Sequence, residues 1–230
     1  MVEELHRLLG AAGVPGPYVL VGHSFGGLLV RLYAARYPQE VAGLVLVDSA
    51  HEQQHRRAPA EIRELAPQFE EQARQQFEGL KALIVSGSLD PAMLPVPPQL
   101  PATAAETFRA LVASGPKHVE TLLAEQQAVQ VIHSELAAAA ITSLGDLPLI
   151  VLSHGQPMPM PGLAPEVNQA NEQLWQELQA ELAALSSRGR LVVAEGSGHD
   201  IQLERPQLVI DAISEVVAAG RTSQDRMPSR

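Results

Sequence analysis

The stretch "VLVGHSFGG" at residues 19–27 constrains the fold more than any other part of this chain. The apolar residues at its start predict a short strand, and residues 25–36 predict a helix, so the segment between them must turn sharply. Gly22 and Gly26 are expected to leave room for that turn, because a side chain at either position would collide with the neighbouring strand or helix. We expect a strained backbone at Ser24, with its hydroxyl free at the C-terminal end of the strand.

Short apolar runs alternate with amphipathic helices along the core of the sequence. A long helix among them follows the Pro-rich loop at 157–165, and its predicted apolar stripe is formed by Val167, Leu174, Leu178, Leu182 and Leu185. Val41 to Val47 is apolar on both faces, as is typical of a parallel strand covered by helices on both sides. The strand, helix, strand order that begins with the turn predicts a right-handed crossover unit. The predicted fold class is α/β, a mostly parallel sheet of four strands flanked by helices, with strands at 18–21, 41–47, 147–152 and 191–194.

A change in composition marks a predicted insertion at residues 51–141. Its first part is charged and Gln-rich with apolar residues at helical spacing, its middle is a Pro-rich loop, and its end holds two more amphipathic helices. Residues 1–50 and 142–220 are predicted to form the core around this helical insertion. Residues 221–230, "RTSQDRMPSR", have little to bury and are predicted to be a disordered tail.

Composition excludes several classes of function. Hydrophobic residues make up 46% of 230 residues, which is enough for a substantial core, and the net charge of −10 argues against nucleic acid or an acidic membrane as a partner. The absence of cysteine excludes disulfides and thiolate metal sites. No apolar run is long enough to span a bilayer, and the amphipathic start does not resemble a signal peptide, so a cytoplasmic protein is expected for the chain as given.

A serine at such a turn is a candidate nucleophile, and it requires a base. His199, in "AEGSGHD", directly follows the fourth predicted strand and therefore lies at the same end of the sheet as Ser24. His154 follows the third strand and is the main rival. The N-terminus of the helix after the turn points to the same place, and the Phe25 N–H is placed to donate to an oxyanion.

The base in turn needs a carboxylate to orient it. Asp48, in "LVLVDSAHE", ends the second strand at the correct end of the sheet. Asp90, in "KALIVSGSLDP", follows an apolar run compatible with a strand, and Glu52, Glu195 or no acid at all stay open as alternatives. Asp200 adjoins His199 and is badly placed to reach its neighbour's ring.

Three further polar residues are candidates to line a substrate pocket. His23 lies beside Ser24 and is expected to point away from it, which makes a structural role the stronger interpretation. His51 and Glu52 begin the insertion, close in sequence to Asp48.

Two segments resemble the α/β-hydrolase superfamily. "YVLVGHSFGGLLVRLYAARYPQEVAGLVLVDSA" is similar to its nucleophile elbow, following helix and next strand, and "RLVVAEGSGHDIQLERPQLVIDAI" resembles its histidine loop and last helix. The resemblance implies a serine hydrolase acting on a small-molecule ester or similar acyl substrate, with no metal or organic cofactor. The insertion corresponds in position to a variable cap over the active site. The family order of serine, acid and histidine is kept by Ser24, Asp48 and His199.

The chain departs from the family in two ways. The acid usually follows the strand equivalent to 147–152, which here runs into "SHGQPMPMPG". Some members place it after the preceding strand, where Asp48 lies. The family also has four more strands before the elbow region, and a loop there supplies the second oxyanion N–H. A truncated gene model, a fragment and a reduced natural form are all open explanations.

The second departure has consequences for activity and association. A chain lacking these strands is expected to be weakly active or inactive, and a non-catalytic fragment is the alternative to the enzyme. Its first strand is expected to lie at an open sheet edge, and the elbow helix to expose a face whose leucines lack partners. Both features favour self-association.

Overall fold

The computed structural model describes residues 1–224, except for the side chains of residues 130 and 222–224. The chain divides into two compact units. One is formed by Met1–Pro59 and the chain from Ile132 onward, and the other is Ala60–Val131. The second unit lies within the range 51–141 that the sequence marks as an insertion.

The first unit contains a four-stranded parallel sheet in the order β1-β2-β3-β4. This confirms the α/β fold class. Two of the strands end two residues later than predicted, each at a histidine, because pairing continues past the apolar run. The strands are β1 Tyr18–His23, β2 Val41–Val47, β3 Leu149–His154 and β4 Gly189–Ala194.

Nine α-helices accompany the sheet in the described part of the chain. They are α1 Val2–Ala11, α2 Phe25–Arg36, α3 Gln54–Arg57, α4 Ala60–Val85, α5 Ala102–Ala113, α6 Lys117–Ala139, α7 Pro165–Ala184, α8 Ile201–Glu204 and α9 Pro206–Gln224. None of the helices described is long and apolar enough to cross a membrane.

Helices cover both faces of the sheet. Leu44 and Leu46 of β2 belong to one hydrophobic cluster, with residues of α1, α2 and α7, whereas Val45 and Val47 belong to another, with residues of α8 and α9. Because successive side chains of a strand point to opposite faces, this arrangement explains why β2 is apolar throughout.

The expectation that α2 exposes a face of unpartnered leucines is wrong. Leu28 and Leu32 are fully buried, and Leu29 packs against the same cluster. Helix α1 covers this side of α2, and the end of α6 contributes Ile132 and Leu136. The leucines of α2 therefore find partners within the first unit.

Strand β1 lies at an edge of the described sheet, as predicted, since it pairs with β2 alone. Its residues include no charge, and the Val21 side chain is 42% exposed. The opposite edge strand, β4, carries Arg190, which forms an ion pair with Glu215.

Two local sequence interpretations differ from the structure. The apolar run in "KALIVSGSLDP" is the C-terminal end of α4 and not a strand. The last helix continues to Gln224, through the first four residues of the predicted tail, while 225–230 lie outside the described residues.

Candidate active site

Ser24 occupies a strained turn between β1 and α2. Its backbone angles are φ 52° and ψ −120°, a region that residues with side chains rarely adopt. The turn is tied to β2, because the Ser24 N–H donates to the Val47 carbonyl at 3.1 Å and the Ser24 carbonyl accepts from the Ala50 N–H at 2.9 Å. The strained elbow expected from the sequence is present.

Two positions of the elbow require glycine, and only one of them, Gly22, is among the two expected from the sequence. A Cβ at Gly22 would lie 2.6 Å from the Gly26 carbonyl oxygen, so this position must be glycine. The expectation for Gly26 is wrong, because a Cβ there meets nothing within 4 Å. Gly27 is the second constrained position, since a side chain there would overlap Ser49 at the end of β2.

A serine that precedes a helix usually caps it through its hydroxyl, but Ser24 does not. It makes no capping hydrogen bond to α2. At the start of α2 the Gly27 N–H donates to the Ser24 carbonyl at 3.0 Å. The first N–H groups of a helix have no partner within it, which leaves the Phe25 N–H available beside the serine. Their dipole favours negative charge at this point.

Asp48 and His199 form a hydrogen-bonded pair at the same end of the sheet. The Asp48 carboxylate is fully buried and its Oδ2 lies 2.6 Å from His199 Nδ1. Asp48 also has a positive φ, 43°, so its backbone is strained like that of Ser24. The His199 ring is 32% exposed, and within the described residues its Nε2 has no hydrogen-bond partner.

Three further donors converge on the Asp48 carboxylate. The His154 backbone N–H and the Trp175 indole N–H each lie 3.0 Å from Oδ1, and His154 Nδ1 lies 2.9 Å from both oxygens. Burial raises the pKa of Asp48, but the hydrogen bonds from His154 and His199 outweigh it and hold the pKa below its usual range. Asp48 is therefore an ionised carboxylate at neutral pH.

His154, the rival base, lies on the other side of the same carboxylate. Its side chain is only 5% exposed. Both ring nitrogens are occupied, Nδ1 by Asp48 and Nε2 by Glu172 Oε2 at 3.1 Å. His199, in contrast, presents a free ring nitrogen, which a general base requires.

His23 links the elbow to the histidine loop. Its Nε2 lies 3.0 Å from the His199 carbonyl oxygen, and the two ring centroids are 4.6 Å apart. Because a carbonyl oxygen only accepts, Nε2 carries the proton in this contact. Burial lowers the pKa of His23, which favours the neutral ring.

The remaining candidates have other contacts. Asp90 lies in the second unit and accepts a hydrogen bond from the Ala92 N–H. Glu52 is paired at 2.8 Å with the buried guanidinium of Arg31. Burial raises the pKa of Glu52, but Arg31 outweighs it and keeps that pKa low. His51 is buried, with Nδ1 3.6 Å from Glu52.

Asp200 and Glu195 also lie away from the His199 ring nitrogens. Asp200 stands at the N-terminus of α8, with its backbone carbonyl accepting from Leu203 and Glu204. The Glu195 backbone carbonyl accepts a hydrogen bond from the Arg205 guanidinium. Among the described residues, the carboxylate bonded to the His199 ring is that of Asp48.

The sequence reasoning missed the contribution of α7. Glu172, Trp175, Gln176 and Gln179 recur at helical spacing and contact residues at the ends of β2 and β3. The apolar stripe of the same helix predicts its buried face, and Leu178 and Leu182 are fully buried. A single tryptophan between polar residues on a predicted helix was the available signal.

A profile of the alpha/beta hydrolase family matches residues 2–212. The chain belongs to this family. It is 26% identical over 224 residues to the uncharacterized protein YqjL of Bacillus subtilis (strain 168), and the match covers 95% of this chain and 64% of YqjL. Over 49 residues it is 51% identical to the lipase LipV of Mycobacterium tuberculosis, covering 21% of this chain and 18% of LipV.

Solved structures agree with this assignment. A proposed lipase, lip1, from Acinetobacter baumannii AYE superimposes with a TM-score of 0.56 at 25% identity, over 96% of this chain and 67% of that chain. A thermophilic esterase from Thermogutta terrifontis has the same fold, with a TM-score of 0.54 at 22% identity, over 95% and 71% of the two chains. The chain thus spans 64% of YqjL and 67% of the lip1 chain.

Proposed function

We propose that the protein is a serine hydrolase that cleaves a carboxylic ester or a similar small acyl compound through Ser24, His199 and Asp48. The observation that carries this proposal is the 2.6 Å contact between His199 Nδ1 and the buried Asp48 carboxylate. It leaves His199 Nε2 free at the sheet end where the strained elbow holds Ser24. The likeness to a lipase supports the substrate class.

In the proposed reaction, Ser24 Oγ attacks the carbonyl carbon of the ester and its proton passes to His199 Nε2. The Asp48 carboxylate accepts the Nδ1–H bond, which fixes the tautomer and stabilises the imidazolium that forms. The Phe25 N–H donates to the oxyanion. The tetrahedral intermediate then expels the alkoxide, which takes the proton from His199, and an acyl-enzyme remains.

Hydrolysis of the acyl-enzyme repeats these steps with water. His199 removes a proton from water as it attacks the acyl carbon, and returns that proton to Ser24 Oγ when the acid departs. No hydrogen bond joins Ser24 to His199 in the described structure, and such bonds often tighten only when substrate is bound. We expect the two groups to come within hydrogen-bond reach in the complex.

Hydrolysis of p-nitrophenyl acetate and butyrate tests the proposal. We expect weak but measurable turnover by the wild-type chain, in line with the single oxyanion donor that the sequence identifies, loss of it in Ser24→Ala, and the wild-type rate in the control Ser187→Ala, whose serine is exposed on a distant loop. A folded wild-type sample with no more hydrolysis than Ser24→Ala would contradict the proposal and support the non-catalytic alternative.

A further inference from the structure

His154 is held between two acidic side chains. Asp48 lies on its Nδ1 side at 2.9 Å, and Glu172 Oε2 lies 3.1 Å from its Nε2. The ring also stacks against Trp175 at a centroid distance of 5.6 Å, and Trp175 itself donates to Asp48. A buried ring so fully enclosed has no free atom for chemistry, but it contacts the carboxylate that orients His199.

The hydrogen-bond pattern favours a charged ring. Glu172 Oε2 lies 3.1 Å from His154 Nε2, and Glu172 Oε1 accepts a hydrogen bond from the Gln176 amide 2.9 Å away. Asp48, the carboxylate on the Nδ1 side, is held ionised by its own hydrogen bonds. A histidine that donates to a carboxylate at each nitrogen is an imidazolium, since only that form has two N–H groups.

The surrounding charges agree with that state. The groups facing His154 are Asp48 from the end of β2, Glu172 and Trp175 from α7, and His199 across the shared carboxylate. Burial lowers the pKa of His154, but the hydrogen bonds and charges of Asp48 and then Glu172 raise it above its ordinary value. Attraction between the positive ring and the two carboxylates offsets the cost of removing these groups from water.

We propose that His154, as an imidazolium held by Glu172, is a positioning residue that fixes the Asp48 carboxylate toward His199, an inference that rests on the proposed function. Its backbone N–H and the Trp175 indole bind Asp48 Oδ1, and its ring N–H spans both oxygens. Oδ2 is thereby directed to His199 Nδ1. In this arrangement, Glu172 acts on Asp48 only through His154.

Nuclear magnetic resonance of the histidine rings tests the charge without any turnover. In the resting wild-type protein we expect the His154 ring to titrate above the ordinary histidine value of about 6.5. Glu172→Gln should lower its midpoint by about one pH unit, because the charge facing Nε2 is removed. The control Glu166→Gln removes an exposed charge from the first turn of the same helix and should leave the midpoint unchanged.

The positioning role is tested by the hydrogen-bonded Nδ1 proton of His199, which faces Asp48 Oδ2 at 2.6 Å and whose resonance reports that contact in the resting protein. In His154→Gln this resonance should move upfield or broaden, because the carboxylate loses the ring that holds it. Should that variant fold poorly, Glu172→Gln should show the same change to a smaller extent, and kcat/KM should fall in both variants while Glu166→Gln keeps the wild-type value.

Two results would overturn the inference. One is a His154 ring that titrates at or below about pH 6.5 in the wild type and is insensitive to Glu172→Gln. The other is a His199 Nδ1 proton resonance that is the same in folded His154→Gln as in the wild type. Because both readings use the resting protein, a chain that fails to hydrolyse esters would contradict the proposed function while these results still decide the role of His154.

Discussion

Ser24 and Asp48 share a backbone feature as well as a location. Both have positive φ, 52° and 43°, although neither is glycine, and they follow adjacent parallel strands. Strain of this kind costs on the order of 1–3 kcal/mol per residue and persists where the surrounding structure enforces it. Hydrogen bonds to the neighbouring strand enforce it here, since the Ser24 N–H donates to Val47 of β2 and the Asp48 N–H donates to Leu152 of β3.

Asp48→Asn should reduce ester hydrolysis by roughly 10³–10⁴-fold, because an amide at this position no longer selects the reactive tautomer of His199. Steady-state rates with p-nitrophenyl butyrate measure the effect. Asp90→Asn is the matched control, since Asp90 lies in the second unit. Should Asp90→Asn abolish activity while Asp48→Asn retains it, the assignment of the acid is wrong.

The two glycines of the elbow should differ in their tolerance of alanine. Gly22→Ala forces a Cβ against the backbone of Gly26, and overpacking of this kind costs about 1–3 kcal/mol. Gly26→Ala meets open space inside a helix, where alanine is favoured over glycine by about 1 kcal/mol. Urea denaturation compares the free energies of unfolding, and equal losses in the two variants would contradict the account.

The sequence pointed to Ser24, Asp48 and His199 because each follows a strand that its apolar run makes recognisable. It did not reveal Glu172 or Trp175, which reach the site from the middle of a helix. Helical spacing predicts which residues share a face, but not which strand end that face contacts. The pairing of His154 with two carboxylates therefore required the three-dimensional structure.

Helix α7 has an apolar face and a polar face, and the two contact different parts of the first unit. Leu178 and Leu182 bury its apolar face against the sheet, while Glu172, Trp175 and Gln176 extend toward the end of β3. The apolar periodicity predicted the helix and its buried stripe correctly. Similarly, the apolar end of α4 was compatible with a strand, because short apolar runs carry no reliable period.

Among the strands that the structure describes, we expect β1 to be the edge that pairs with a second copy of the chain. It has no charged residue, whereas the β4 edge carries Arg190. We expect self-association of the wild type in sedimentation velocity, and its reduction by Val21→Lys, since lysine on an edge strand opposes pairing.

Val193→Lys provides the matched control on the opposite edge. Val193 is 40% exposed, close to the 42% of Val21, so the two variants add the same charge at similar exposure. The Val193→Lys variant should associate to the same extent as the wild type. A wild type that is monomeric at all concentrations would show that the β1 edge does not pair.

For the whole molecule, the charged network around Asp48 predicts how stability depends on pH. The pKa of His154 is raised by folding, so its contribution is complete below about pH 6.5 and is lost as pH rises through the raised value. The free-energy advantage of the wild type over His154→Gln should therefore shrink from pH 6 to pH 9. Urea denaturation across that range measures it, and a constant difference would contradict a charged His154.

At acidic pH, the contribution of Asp48 to stability changes with pH in the opposite direction to that of His154. The pKa of Asp48 is lowered in the folded state, so its contribution is present above about pH 3.9 and is lost as pH falls toward the lowered value. The difference in unfolding free energy between the wild type and Asp48→Asn should narrow below pH 4 in the same experiment. A difference that widens on acidification would show that Asp48 is not ionised in the folded protein.

Covalent labelling by a fluorophosphonate tests the central claim most directly, because it reports an activated serine independently of substrate identity. Intact mass and peptide mapping should show one adduct, located at Ser24, with labelling that is lost in Ser24→Ala and greatly slowed in His199→Asn and Asp48→Asn. Circular dichroism establishes that each sample is folded. A folded wild-type protein that takes up no label, or takes it up at another serine, would contradict the assignment of Ser24 as the nucleophile of a hydrolase.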